Sequence, residues 1–155
     1  VRREAKFIER IIEINKNKTM ISLPYKEIGV GYLWWTPIPS DSQWNETEKA
    51  LDDILKLANQ ANAKVSFVIM PSPASVYGVK LHPSFSPYVE YHNNIVNNFK
   101  TKYGNIDIVD PNSQLAVEIE KKFLYVADSD CHFNTYGTKV YFDIISNALN
   151  IGENL

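Results

Sequence analysis

Apolar residues recur at helical spacing in several stretches of this chain and form short continuous runs in others. Phe7, Ile8, Ile11, Ile12 and Ile14 line one side of a predicted amphipathic helix from Glu4 to Asn15. Ser40-Asp41-Ser42 offers cap residues for a second helix reaching about Ala61. Its apolar stripe is Trp44, Leu51, Ile54, Leu55, Ala58 and Ala61, and Asn45 with Glu48 fits a capping box. A third helix is expected from about Tyr88 to Lys102, with Val89, His92, Val96 and Phe99 on one face and Gly104 ending it. Pro111 opens a short helix near Asn112 to Lys121, and the last helix covers Thr135 to Leu149 through Val140, Tyr141, Ile144, Ile145 and Leu149.

Between these helices stand short β-branched runs. Lys64 to Met70 and Ile106 to Asp110 have the length and composition of strands buried on both faces of a parallel sheet. Phe123 to Val126 is a third, smaller run. Gly29 to Trp35 is apolar and aromatic, and periodicity does not separate a strand from an extended loop there. Pro71 to Pro87 reads as a Pro- and Ser-rich loop. Alternation of long helices with short apolar strands predicts an α/β fold with a parallel sheet. Two firm strands make a thin sheet, so part of it is expected from preceding sequence or from a second copy of the chain in a homo-oligomer.

Composition narrows the field. The chain has 155 residues, enough for one domain over residues 1–155 with a real core. A hydrophobic fraction of 45%, a charged fraction of 22% and a formal net charge of -2 give no field that would favour nucleic acid or an anionic membrane. No apolar run is long enough to span a bilayer. The single Cys131 excludes an intrachain disulfide and a multi-cysteine zinc site, and leaves the compartment open. The opening Val1-Arg2-Arg3-Glu4 is neither an initiator Met nor a signal peptide, which suggests a piece of a longer protein.

The chemistry concentrates in Asp130-Cys131-His132-Phe133-Asn134-x-x-Gly137, an acid, an imidazole and an amide just before a helix and just after an apolar run. In α/β sheets ligands bind beyond the carboxyl ends of strands, where this loop is expected to lie. A histidine beside a carboxylate can act as general base for a serine, the acid orienting the ring and stabilising imidazolium. The plainer alternative makes Asp128, Asp130 and Asn134 cap and turn residues and His132 a surface side chain; Asn134 is an N-cap on either view. Asp128, Asp130, Cys131 and His132 match no common zinc spacing, and no metal is expected. His82 and His92 read as structural. Ser42 reads as a cap residue, and Ser72 and Ser75 as turn residues lacking a nucleophile-elbow pattern. Trp34 and Trp35 read as buried aromatics before a sugar-stacking platform.

The block Asp130-x-His132-Phe133-Asn134-x-x-Gly137 resembles the D-x-H-W-N-x-x-G segment of the alginate O-acetyltransferase branch of the SGNH superfamily, and is similar to the C-terminal Asp/His block of GDSL esterases. Pro71-Ser72-Pro73 with Tyr77 after an apolar strand agrees with that branch, as do Ile108-Val109-Asp110-Pro111 and the Phe123-Leu124-Tyr125 run. The similarity covers about Trp44 to Leu149. It implies a three-layer α/β/α, flavodoxin-like domain, present here in part. It also implies His132 as general base, Asp130 as its orienting acid, no cofactor, and an acyl-ester substrate, small or carbohydrate-borne. Ser129 stands where the common GDSL pattern has its aspartate, and Phe133 replaces the Trp. No G-D-S or G-x-N-D occurs, so no nucleophile is identifiable, and preceding sequence is its expected source. The competing expectation is a non-catalytic module binding carbohydrate or protein.

Overall fold

The computed structural model describes residues 19–30, 41–81, 85–127 and 130–151. The predicted helix at Glu4 to Asn15, and Trp34, Trp35, His82, Asp128 and Ser129, lie outside the described residues.

The first described element was not anticipated. Strands β1 (Thr19–Leu23) and β2 (Lys26–Val30) form an antiparallel hairpin, with Leu23 opposite Lys26 and Ile21 opposite Ile28. Its turn, Pro24-Tyr25, contains no residue with positive φ. It therefore cannot be the primed type that Asn-Gly or Gly-x sequences announce. Ile21 and Leu23 point into the core, and the Tyr25 hydroxyl donates to the Ile119 carbonyl at 2.6 Å.

Helix α1 (Asp41–Gln60) begins about a turn before Asn45, so Asn45 lies inside it and the expected capping box does not form. Glu48 instead accepts from Lys102 Nζ at 3.0 Å. Trp44, Leu51, Leu55 and Ala58 are half-buried as expected, whereas Ile54 is 50% exposed and Ala61 is exposed. Ile54 leaves the stripe because it falls off the row at i, i+7, i+11 and i+14 that carries Trp44, Leu51, Leu55 and Ala58, and Ala61 lies past the helix end. That row meets an aromatic cluster, with Trp44 against Phe99 and Phe67 against Phe99 and Tyr103 at centroid distances of 5.4–5.8 Å.

Strands β3 (Ser66–Val68) and β4 (Asp107–Val109) pair in parallel, Phe67 opposite Ile108, and Ile69 N–H extends the ladder to the Val109 carbonyl. Both are shorter than expected, and β3 is half-buried rather than buried on both faces, because among the described residues this sheet has two strands. A parallel pair requires a crossover, and two helices supply it. Helix α2 (Pro73–Lys80) falls in the stretch expected to be loop. Pro73 sits in its first turn and Ser72 caps it, accepting from Ser75 N–H at 3.2 Å. Helix α3 (Ser86–Lys102) follows and buries Tyr88, His92 and Val96.

After β4 comes the short α4 (Asn112–Glu118), and the chain closes on α5 (Thr135–Leu149), bounded as expected. The architecture is mixed α/β with a small parallel sheet and a separate hairpin. Its core joins Ile21 and Leu23 of the hairpin, Val76 and Tyr77 of α2, Leu115 and Ile119 around α4, and Leu124, Tyr125 and Val140. No helix among the described residues is long and apolar enough to cross a membrane.

Candidate functional site

The dyad segment is anchored from below before it reaches solvent. Leu124 and Tyr125 are buried, and Tyr125 forms an isolated antiparallel bridge with Phe133. The bridge is reinforced by Val126 N–H to the His132 carbonyl and Asn134 N–H to the Leu124 carbonyl, both 2.9 Å. The Phe133 ring stacks on Tyr125 at 5.3 Å and 17°, and leans on Tyr141 of α5 at 5.2 Å. The Phe133 ring thus lies between those of Tyr125 and Tyr141.

Asn134 ties the segment to the helix. Its Oδ1 accepts from Gly137 N–H at 2.9 Å, capping α5, while its Nδ2 donates to the carbonyls of Phe123 at 2.8 Å and Tyr125 at 2.9 Å. One side chain thus satisfies a helix N–H and two carbonyls of the preceding run. The cap expected from sequence is present, and the two carbonyl bonds add to it.

Above this anchor, Asp130 and His132 meet. Asp130 Oδ1 accepts from the His132 backbone N–H at 2.7 Å and stands 2.6 Å from His132 Nδ1. The backbone N–H and then the His132 ring hold the Asp130 carboxyl below its ordinary value, against a smaller opposing effect of desolvation. A carboxylate only accepts, so Nδ1 is the donor of this pair, and in the neutral ring the lone pair then belongs to Nε2. The His132 side chain is 78% exposed and Asp130 34%, which leaves Nε2 open to a solvent-borne group. Among the described residues, no serine hydroxyl hydrogen-bonds the His132 ring.

The other serines weighed from sequence have structural duties or stand apart. Ser75 is fully buried, donates to the Ser72 carbonyl at 2.8 Å and lies 3.2 Å from Asn112 Oδ1. Ser72 caps α2, and Ser42 lies near the start of α1.

A second His–Asp contact escaped the sequence reading. His92 Nε2 lies 2.7 Å from Asp110 Oδ1, which also accepts from Asn112 N–H at 3.1 Å. Burial pushes the Asp110 carboxyl up, but the bonds from His92 and Asn112, with the charges of His92 and Lys100, bring it below its ordinary value. The pair joins α3 to the end of β4. His92 is 5% exposed, so this contact is a structural tie, in line with the structural role expected of His92.

Two further features bear on ligands. One ligand atom each from Asp130, Cys131 and His132 lies within 4.8 Å of the others. A groove of about 640 Å³ runs over Asp52, Leu55, Lys56, Lys102 and Tyr103, and none of its lining residues belongs to the dyad segment. No family model matches the chain, and no curated protein or solved structure matches it either.

Proposed function

We propose that this chain provides the base and acid of a serine-type acyl hydrolase or O-acyltransferase of the SGNH class, acting on an acyl ester of a small molecule or carbohydrate. The observation that carries the reading is the 2.6 Å contact between His132 Nδ1 and Asp130 Oδ1, with the opposite ring nitrogen facing solvent. In that arrangement Asp130 fixes the tautomer, Nε2 removes the proton of an attacking hydroxyl, and the carboxylate stabilises the imidazolium formed. The same proton then goes to the leaving alkoxide, and a water or acceptor hydroxyl completes the cycle through the same base.

The small parallel sheet with its helical crossover supports a three-layer, flavodoxin-like domain. The nucleophilic serine is sought outside the described residues, since none of the described serines hydrogen-bonds the His132 ring. Neither a metal nor an organic cofactor is part of this mechanism.

The test is p-nitrophenyl acetate turnover by the intact protein, with fluorophosphonate labelling and peptide mapping to find the serine. His132→Ala should lower turnover by about 10⁴-fold and abolish labelling. Asp130→Asn should lower it by a comparable factor, because an amide can stabilise the wrong tautomer. Wild-type turnover in His132→Ala refutes the reading. The exposure of His132 without a serine neighbour favours one competing reading, a binding module, which predicts glycan or protein binding with no labelled serine.

A further inference from the structure

The geometry points to a thiophilic divalent-cation site, of the zinc class, built from Cys131, His132 and Asp130 on top of the dyad. Sequence spacing gave no hint of it, because three nearly adjacent residues match no zinc motif. Side-chain placement changes the picture. A thiol, an imidazole and a carboxylate each bring one ligand atom within 4.8 Å of the other two. Tetrahedral zinc with Zn–S near 2.3 Å and Zn–N near 2.0 Å needs its ligand atoms about 3.5 Å apart. Closing the set around an ion therefore takes side-chain rotation of roughly an ångström. Cys131 and His132 are exposed, so an ion reaches them without opening the core, and water fills the remaining position.

Binding a divalent ion releases the Cys131 proton to solvent, and the thiolate, not the thiol, is the ligand.

If His132 is the base of the proposed acyl transfer, ion binding takes that base away, so metal occupancy and ester turnover exclude each other. That consequence rests on the proposed function; the site itself does not. The experiment therefore reads binding alone. Cobalt(II) is titrated into chelator-treated protein and followed by absorbance, where a thiolate ligand gives a charge-transfer band in the near ultraviolet and tetrahedral geometry gives visible bands. The expected result is a saturable charge-transfer band that zinc displaces, is lost in Cys131→Ser, and needs at least about tenfold more cobalt in His132→Ala. Circular dichroism of both variants, each changed at an exposed side chain, checks that the fold is intact. Absence of the band, or an unchanged titration in Cys131→Ser, overturns the site. Loss of the enzymatic reading leaves this measurement unaffected.

Discussion

Gly137→Ala sets two effects of opposite sign against each other at the base of the dyad. Gly137 is in the first turn of α5, where alanine has the higher helix propensity by about 1 kcal/mol. Yet a methyl group there meets the Leu124 carbonyl oxygen, roughly 1 Å inside the ~3.3 Å at which carbon and carbonyl oxygen sit comfortably. It also lies 2.9 Å from the Leu124 carbonyl carbon and 3.0 Å from Phe133 Cδ1. The obstacle is backbone, and that backbone is held by Asn134 N–H on the same carbonyl and by Asn134 Nδ2 on the carbonyls on either side. Relief means moving α5 or breaking that set of bonds. Overpacking of this kind costs about 3 kcal/mol, so the net loss is about 2 kcal/mol after the propensity gain. For a chain of this length that is a fall in Tm of about 4–8 °C. Urea titration followed by circular dichroism gives the free energy, and Thr138→Ala, at the exposed neighbouring position, serves as control and should stay within about 0.5 kcal/mol of wild type. A Gly137→Ala protein stabilised by about 1 kcal/mol, as propensity alone demands, refutes the close approach of α5 to Leu124.

Asn134→Ala removes a helix cap and the partners of two carbonyls, and should cost about 2–4 kcal/mol in urea; Asn134→Asp keeps the capping oxygen but sets a carboxylate oxygen against both carbonyls, and should cost at least as much. A loss below 0.5 kcal/mol for Asn134→Ala, within the range of ordinary surface changes at about that size, rules out the anchoring role. Asp110 gives the acid limb of stability. Its folded pKa lies below its unfolded value, so the unfolded chain binds the proton first, and stability present above about pH 4 is lost as pH falls through the folded value. Urea midpoints measured from pH 6 to pH 3 should fall less steeply for Asp110→Asn than for wild type, and parallel curves refute the linkage.

What was legible in the sequence follows the range over which each signal acts. Helix α5 was read to its ends because an Asn cap and a 3.6-residue apolar period are both local signals. The Asp130–His132 pair was legible for the same reason, as its partners are two residues apart. Helix α2 was passed over because proline density was read as loop, although Ser72-Pro73 is itself a helix-start signal. The hairpin was passed over because Pro24-Tyr25 lacks the Gly, Asn or Asp that marks a primed two-residue hairpin turn. The His92–Asp110 tie spans 18 residues, and nothing local marks it; it exists only once α3 packs beside β4. Ile54 was misplaced because helical periodicity gives a stripe but not its width, and the width is set by what packs against it.

The bridge between Tyr125 and Phe133 closes the neck of a short excursion of the chain. The stacked rings and most of the hydrogen bonds that secure it lie at or below that neck, with Val126 N–H to the His132 carbonyl just above it, and the Asp130 and His132 side chains lie above that. Residues inside the excursion can therefore be exchanged, or their number changed, while the scaffold keeps its stability. A segment tied off in this way is a cassette: different acid and base pairings, or an inserted recognition peptide, can be tried there one after another on an unchanged fold.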